Sequence, residues 1–141
     1  PSAERGKIVL ITRLGATRAK DRIPELVRAV RACGSPVLWV CDPMHGNTVS
    51  TPSGLKTRSF DAIRTELETT YDALRASGAH LGGIHVELTG EDVTECVGGA
   101  TDITEDNLHT NYATLCDPRL NYHQALELAF ALARRLSQNA S

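Results

Sequence analysis

Apolar and polar residues follow two alternating patterns along this chain. Residues 7–12, 36–41 and 82–88 form short runs in which apolar side chains dominate. Such runs, rich in β-branched residues, are typical of strands in a parallel sheet that is covered on both faces. The pattern therefore predicts three buried parallel strands.

Each predicted strand is followed by a segment with the apolar spacing of a helix. The first helix is predicted from Asp21, with Pro24 in its first turn, and stops at Gly34, whereas the second ends near Gly78. Apolar residues recur every three or four positions in these segments: Ile23, Leu26, Val27, Val30, Ile63, Leu67, Tyr71, Leu74, Ala125, Leu128, Ala129, Leu132 and Leu136. We therefore predict three strand–helix units.

The alternation of strands and helices indicates an α/β architecture, either an open doubly wound sheet or part of a (β/α) barrel. Polar residues directly after the strands (Arg13, Asp42, His45 and Glu87) favour the barrel, because barrel enzymes keep their chemistry at this rim. The first strand also lacks the G-x-G-x-x-G pattern of a dinucleotide site. An eight-stranded barrel takes ~250 residues, so three units cannot close one.

The composition is that of one globular domain, which we place at residues 6–137 between an N-terminal tail (1–5) and a C-terminal tail (138–141). The 141 residues are 41% hydrophobic and 23% charged, with 15 Lys and Arg against 17 Asp and Glu. This balance argues against nucleic acid or an anionic membrane as a partner, and no apolar run reaches the ~20 residues of a membrane span. Because the first residues lack a signal-peptide pattern, we expect a cytoplasmic protein.

The four cysteines, Cys33, Cys41, Cys96 and Cys116, have no C-x-x-C spacing. Neither a disulfide framework nor a structural zinc site is indicated by so few and so scattered thiols. We expect all four to be reduced.

Two ionisable side chains share one face of the third predicted strand. His85 and Glu87 are two positions apart, and side chains at that spacing point the same way along a strand. A charge there is costly unless it is paired, binds a metal or opens onto a solvated cavity. Glu87 is therefore expected either to pair with a Lys or Arg or to ligate a metal ion.

Two further groups belong to the same predicted rim. His45 lies in a connection at 42–58 that is long for a compact domain, and we expect this loop to be functional. Asp117 lies shortly before the last helix, where it or Asn121 is suited to cap the helix. One imidazole and two carboxylates make a mixed nitrogen and oxygen set that suits Mn²⁺, Fe²⁺, Co²⁺ or Zn²⁺.

Three cations lie near the same rim. Arg13 follows the first strand, and Lys56 and Arg58 lie in the long loop. Such groups bind phosphate or carboxylate by charge-assisted hydrogen bonds. Arg13 is the strongest candidate, because a buried strand end is a costly position for a guanidinium. Lys56 suits a ligand contact and a surface charge equally. Arg58 is expected to be a solvated loop charge or a member of a surface ion pair.

Five motifs resemble the type II 3-deoxy-D-arabino-heptulosonate 7-phosphate (DAHP) synthases, which open the shikimate route to the aromatic amino acids in bacteria and plants and feed some antibiotic pathways. The motifs are ITRLG at 11–15, CDPMHGNT at 41–48, GLKTR at 54–58, GGIHVELTGEDVTECVGGA at 82–100 and CDPRLN at 116–121. The likeness extends from about Gly6 to Leu136.

The resemblance implies the last three βα units of a (β/α)8 TIM barrel, with the barrel completed by another chain or a missing segment. In the family a metal ion is held by a cysteine on the first barrel strand and by the residues that match His45, Glu87 and Asp117 here. The metal implied is Mn²⁺, with Co²⁺ or Zn²⁺ as alternatives. Arg13 matches an arginine that contacts phosphoenolpyruvate, and Lys56 is assigned to the same substrate region.

The implied reaction joins phosphoenolpyruvate to erythrose 4-phosphate, or to an amino analogue, in a metal-dependent aldol-type step that releases phosphate. No catalytic residue beyond the metal ligands is required. Because three strands leave two sheet edges and the barrel-interior face uncovered, we expect this chain to act as the C-terminal piece of a split or cleaved synthase. The complementary chain would supply the other strands and the cysteine ligand. The alternative is a non-catalytic binding or regulatory partner of a complete synthase.

Overall fold

The computed structural model describes residues 6–138. The predicted domain at 6–137 lies within this range, whereas the predicted tail at 1–5 and residues 139–141 lie outside the described residues. None of the helices that the structure describes is long and apolar enough to cross a membrane.

A three-stranded parallel sheet forms the centre of the structure. The strands are β1 (Val9–Thr12), β2 (Leu38–Cys41) and β5 (Leu81–Ile84). The two strands between β2 and β5 in the chain, β3 (Thr48–Ser50) and β4 (Lys56–Arg58), form a separate hairpin. The three strands of the sheet lie in the order β1-β2-β5, and both pairings are parallel. The predicted α/β class with a parallel sheet is confirmed, although each strand is shorter than its apolar run.

Three α-helices pack against this sheet: α1 (Ala19–Ala32), α2 (Phe60–Ala76) and α3 (Tyr122–Ser137). α1 begins before the predicted start, so that Pro24 lies beyond the first turn. The predicted apolar positions of α2 at Ile63, Leu67, Tyr71 and Leu74 are all buried.

The helix ends follow the sequence signals. Gly34 and Gly78, just beyond α1 and α2, have φ values of 67° and 70°, a region in which glycine is not strained. The side chain of Asn121 accepts a hydrogen bond of 2.9 Å from the amide of Gln124 and caps α3. Asn121 is therefore the capping residue, and the carboxylate of Asp117 is left for other contacts.

Helices cover one face of the sheet within the described residues. Trp39 and Cys41 point toward the helices and are 6% and 0% exposed. Val9, Ile11 and Leu38 point to the other face and are 46%, 48% and 41% exposed. The expectation that this chain by itself leaves one sheet face uncovered thus agrees with the structure.

The connection at 42–58 is more ordered than the predicted loop. It contains a short 3₁₀ helix at His45–Asn47, followed by an antiparallel hairpin of β3 (Thr48–Ser50) and β4 (Lys56–Arg58). The prediction of a continuous loop was wrong because Gly, Ser and Thr around the turn obscure two three-residue strands. The hairpin fixes the cations at 56 and 58 on a strand.

A further parallel contact lies beyond β5. The amide of Leu120 donates to the carbonyl of Glu87 at 3.0 Å, and the amide of Thr89 donates to the carbonyl of Leu120 at 2.9 Å. Leu88 and Leu120 thereby form a parallel bridge, and the chain continues from it into α3. The sequence pattern missed this segment because it contains no apolar run. The bridge brings Asp117 to the side of Glu87.

Candidate metal centre

Three of the predicted site residues meet where the parallel segments end. His45 follows β2 in the 3₁₀ helix, Glu87 lies three residues beyond β5, and Asp117 precedes the bridge at Leu120. One donor atom from each of the three side chains lies within 4.8 Å of the others. Nε2 of His45 is 3.6 Å from Oε1 of Glu87. The sequence placed these residues on one rim, and the structure brings their side chains together.

The imidazole of His45 is oriented by a buried carboxylate. Oδ2 of Asp42, whose side chain is 0% exposed, lies 2.7 Å from Nδ1 of His45. A carboxylate only accepts hydrogen bonds, so Nδ1 carries a proton, and Nε2 is the ring nitrogen that faces Glu87. Oδ1 of Asp42 accepts the amides of Met44 and His45 at 3.0 and 3.1 Å. This arrangement is the one that metal-ligating histidines commonly show.

Glu87 is held by a buried guanidinium. Arg58 is 0% exposed, and its Nη1 lies 2.5 Å from Oε2 of Glu87. Nη1 also donates to the carbonyl of Pro118, and Nε donates to the hydroxyl of Thr48 at 2.8 Å. The expectation that Arg58 is a solvated charge or part of a surface ion pair was wrong, because β4 directs it inward to a buried pairing with Glu87. Its contacts instead confirm the prediction that Glu87 pairs with a cation.

Asp117 is paired with Lys56 on the open side of the cluster. Nζ of Lys56 lies 2.9 Å from Oδ1 of Asp117. This hydrogen bond and the charge of Lys56 hold the pKa of Asp117 below its ordinary value, and the same contact raises the pKa of Lys56. Lys56 therefore contributes a full positive charge to the edge of the site at neutral pH.

Arg13 reaches the cluster through Asp42. Its Nε lies 2.9 Å from Oδ2 of Asp42, and its side chain is 55% exposed. The expectation of a buried guanidinium was therefore wrong for this chain by itself, since no described element covers the end of β1. An exposed guanidinium beside the cluster remains available to an anionic ligand.

Two glycines allow the turns after β1 and β2 to touch. A Cβ atom on Gly46 would lie 2.6 Å from the amide nitrogen of Gly15, and one on Gly15 would lie 2.9 Å from the carbonyl of Gly46. Gly15 also has a φ of 80°. The turn that carries Arg13 and the turn that carries His45 can pack this closely only because both positions lack a side chain.

A carboxylate from α2 joins these two turns. Glu66 is 0% exposed, and its oxygens accept the amide of Leu14 at 2.8 Å and the side-chain amide of Asn47 at 2.7 Å. Burial raises the pKa of Glu66, although these hydrogen bonds oppose the rise. The sequence analysis missed this residue because a single Glu in an amphipathic helix resembles any solvated charge.

A second buried carboxylate anchors the segment before α3. Glu95 is 0% exposed and accepts the amides of Ala113, Thr114 and Arg119 at 3.2, 2.8 and 2.8 Å. The guanidinium of Arg119 adds bonds of 3.0 Å from Nε and 2.7 Å from Nη2. Burial alone would raise the pKa of Glu95, but the hydrogen bonds and charge of Arg119 outweigh it and lower the pKa. The sequence analysis missed Glu95 as well.

The donor set fits a divalent transition-metal ion. The cluster offers one neutral imidazole nitrogen, from His45, and carboxylates from Glu87 and Asp117. Mixed nitrogen and oxygen ligands of this kind suit Mn²⁺, Fe²⁺, Co²⁺ and Zn²⁺. His85 lies nearby, with its ring centre 6.0 Å from that of His45, but its side chain is exposed. The three predicted residues form one of two such groups among the described residues, and the other consists of Asp42, His45 and His85.

The fold and the site define an α/β protein whose ionisable groups gather at the carboxyl ends of parallel strands, the usual location of a ligand site in such sheets. Comparison with known proteins identifies the family. Residues 1–133 match the class-II DAHP synthetase family, and the chain belongs to it.

Two similar curated proteins are both phospho-2-dehydro-3-deoxyheptonate aldolases. The phospho-2-dehydro-3-deoxyheptonate aldolase of Streptomyces coelicolor is 52% identical over 133 residues, which cover 94% of this chain and 30% of that protein. The phospho-2-dehydro-3-deoxyheptonate aldolase AroG of Mycolicibacterium smegmatis is 50% identical over 136 residues, which cover 96% of this chain and 29% of that protein. The chain therefore spans about three tenths of the length of these relatives.

Proposed function

We propose that this chain supplies the metal-binding rim of a DAHP synthase, which condenses phosphoenolpyruvate with erythrose 4-phosphate or an amino analogue. The observation that carries the proposal is the convergence of His45, Glu87 and Asp117 to within 4.8 Å in a chain that belongs to the class-II family. These three residues would hold a divalent ion, Mn²⁺ in the first place and Co²⁺ or Zn²⁺ as alternatives. When bound, the ion acts as a Lewis acid on the aldehyde oxygen.

The remaining residues of the site bind and orient. Asp42 keeps the proton on Nδ1 of His45, so that the lone pair of Nε2 stays available to bind the metal ion. Arg58 holds the carboxylate of Glu87 in one orientation through its buried guanidinium. No side chain of this set has to act as a nucleophile, because catalysis by alignment of two bound substrates requires only fixed geometry.

Arg13 and Lys56 would bind the anionic groups of the substrates. Both side chains are more than half exposed and lie beside carboxylates of the cluster, at 2.9 Å from Asp42 and from Asp117 respectively. Arginine and lysine neutralise phosphate and carboxylate through charge-assisted hydrogen bonds. We assign Arg13 to phosphoenolpyruvate and Lys56 to a phosphate at the open side of the cluster.

The partner in this proposal is a chain or segment that completes the barrel and adds a cysteine ligand. The exposed apolar face of the sheet at Val9, Ile11 and Leu38 supports it, because a contiguous apolar surface of this kind is normally covered. Such an interface would bury more than about 2,000 Å², as obligate interfaces do.

The test combines this chain with a complementary chain that carries the other barrel strands. Consumption of phosphoenolpyruvate and release of phosphate are measured with Mn²⁺ present, for the wild type and for His45→Ala and Glu87→Ala. Both variants are expected to lose activity by at least about 100-fold, because each removes a ligand of the ion. Binding of Mn²⁺, followed by electron paramagnetic resonance, is expected to weaken in parallel.

The matched controls are His80→Ala and Glu91→Ala, which remove the same side-chain types at exposed positions outside the cluster. Both are expected to retain wild-type activity. Full activity of His45→Ala and Glu87→Ala would contradict the catalytic proposal and favour the non-catalytic regulatory partner. A complementary chain that is equally active with and without this chain would contradict it as well.

A further inference from the structure

We propose that Glu95 is the positioning residue that fixes the segment at 113–119 and thereby the carboxylate of Asp117. The inference rests on the proposed function, because it assigns Asp117 to the metal-binding set. Glu95 touches none of the three proposed ligands in the described contacts, so its role is to hold the chain that carries one of them.

The geometry of Glu95 is that of an anchor. Its two oxygens receive five hydrogen bonds, three from backbone amides and two from one guanidinium. The amides of Ala113 and Thr114 come from one end of the segment, and the amide of Arg119 comes from the other. A single buried carboxylate therefore closes a seven-residue loop with Asp117 inside it.

The loop has few other restraints of this strength. The hydroxyl of Thr114 donates to the carbonyl of Asp117 at 2.9 Å and accepts the amide of Cys116 at 3.2 Å, and both bonds lie within the loop. Outside the loop, Arg58 donates to the carbonyl of Pro118, and Sγ of Cys96 donates to the carbonyl of Arg119 at 3.4 Å. The carboxylate of Asp117 itself pairs with Nζ of Lys56 at 2.9 Å. Leu115 is fully exposed and adds no packing. The hydrogen bonds to Glu95 and Arg58 thus fix the backbone that carries Asp117, and Lys56 holds its carboxylate.

The chemistry of Glu95 suits a residue that holds the loop and does not suit a metal ligand. Its side chain is 0% exposed, and both oxygens are occupied by donors from the loop. Glutamine at this position would keep the shape, but its amide NH₂ would face N–H groups, which leaves buried donors unpaired. The loop would then open while the sheet and the helices retain their own hydrogen bonds.

The test measures the loop and the metal site separately. Backbone hydrogen exchange at Thr114 and Arg119 is recorded by NMR for the wild type and Glu95→Gln without metal. The variant is expected to exchange at least about tenfold faster at these two amides, with unchanged exchange in β2 and α2. Mn²⁺ affinity, measured by electron paramagnetic resonance with the complementary chain present, is expected to fall by about 10- to 100-fold.

The matched control is Glu68→Gln, since Glu68 also pairs with arginines but lies on α2 away from the loop. It is expected to change neither measurement. If Glu95→Gln does not fold, Arg119→Gln is measured in its place, because it removes only the two guanidinium bonds to Glu95. Arg119→Gln is expected to lower Mn²⁺ affinity by about threefold or more. Glu95→Asp, which keeps the charge, is expected to fall between the wild type and Glu95→Gln.

Faster exchange in the loop with weaker Mn²⁺ binding supports the inference. Unchanged exchange overturns it, and so does faster exchange with wild-type Mn²⁺ affinity, because Asp117 would then be held by other contacts. Absence of Mn²⁺ binding in the wild type overturns the proposed function alone. The exchange rates of Thr114 and Arg119 then still support or overturn the role of Glu95 in fixing the loop.

Discussion

Asp42 and His45 form a hydrogen-bonded pair in which the buried carboxylate accepts the Nδ1 proton of the imidazole at 2.7 Å. The pair is local in sequence, and the amides of Met44 and His45 bind the same carboxylate. With Nδ1 directed at Asp42, the other ring nitrogen, Nε2, faces Oε1 of Glu87 at 3.6 Å.

Asp42→Asn is expected to reverse the tautomer of His45, because the oxygen of the new amide still accepts the amides of Met44 and His45 and its NH₂ then faces Nδ1 as a donor. The ¹⁵N chemical shifts of the imidazole at about pH 8 report which nitrogen carries the proton. In the wild type, Nε2 is expected to be the unprotonated nitrogen, and in the variant Nδ1 is expected to be unprotonated. Affinity for Mn²⁺ is expected to fall by about 10- to 100-fold. A variant with wild-type shifts would contradict the assignment.

Arg58→Met is expected to lower the free energy of unfolding by about 3 kcal/mol, since it leaves Glu87 without its buried cation. This expected loss of stability lies at the low end of the cost of breaking a buried ion pair, because the Glu87 side chain is 32% exposed. Urea unfolding measures the change. Arg64→Met, at a partly exposed arginine that pairs with Glu68 at 3.2 Å, is the control and is expected to cost no more than about 0.5 kcal/mol. Equal losses in the two variants would refute the role of Arg58.

Gly46→Ala is expected to destabilise the chain by about 1–3 kcal/mol, because the new Cβ would lie 2.6 Å from the amide nitrogen of Gly15. Relief of this contact requires the turn that carries His45 to move, so Mn²⁺ affinity is expected to fall as well. The control is Gly90→Ala, where nothing lies within 4 Å of the new Cβ and no positive φ is recorded. Thermal unfolding of both variants checks the prediction, and a difference below the experimental error would contradict it.

Glu95 is expected to contribute to stability above the ordinary carboxyl pKa and to lose that contribution in acid. Its pKa is lower in the folded chain than in the unfolded one, so the unfolded state binds more protons as the pH falls. The free energy of unfolding of the wild type should therefore decrease from about pH 5 to about pH 3 more steeply than that of Glu95→Gln. Arg119→Gln should flatten the same region. Parallel curves for all three proteins would show that this carboxylate is not stabilised by folding.

Cys41 and Cys96 are expected to be unreactive toward thiol reagents in the folded chain, because burial raises the pKa of each to about 12. Cys33 and Cys116 are exposed and are expected to react at about pH 8. Titration with a thiol reagent should therefore find two groups in the native chain and four after unfolding in urea. Rapid reaction of all four thiols in the native chain would contradict the burial of Cys41 and Cys96.

The sequence predicted the elements that depend on local pattern. The apolar runs predicted the three strands, and the three- and four-residue spacing predicted the buried face of α2. In α3 the spacing predicted the buried Leu128, whereas Ala129 and Leu136 are exposed. The stops at Gly34 and Gly78 were also readable, and the cap of α3 was narrowed to Asp117 or Asn121, because these signals act within one turn of the chain.

The same local reasoning failed where a residue is defined by a distant partner. Arg58 was expected in solvent and is 0% exposed, since the β3–β4 hairpin points it at Glu87. Glu66 and Glu95 were not singled out at all. A single carboxylate produces no periodic pattern in the sequence, and its role depends on which amides surround it in the folded chain.

By itself, the sequence determined the α/β class, the family resemblance carried by the motifs, and the side chains that supply the nitrogen and oxygen donors. Only the tertiary structure decided how those donors are held: Leu120 pairs beside Glu87, Gly15 and Gly46 touch, and two buried carboxylates tie the loops. The reason is physical. Residue type and spacing fix what a segment can bind and which face it buries, whereas hydrogen bonds between residues tens of positions apart exist only after the segments pack.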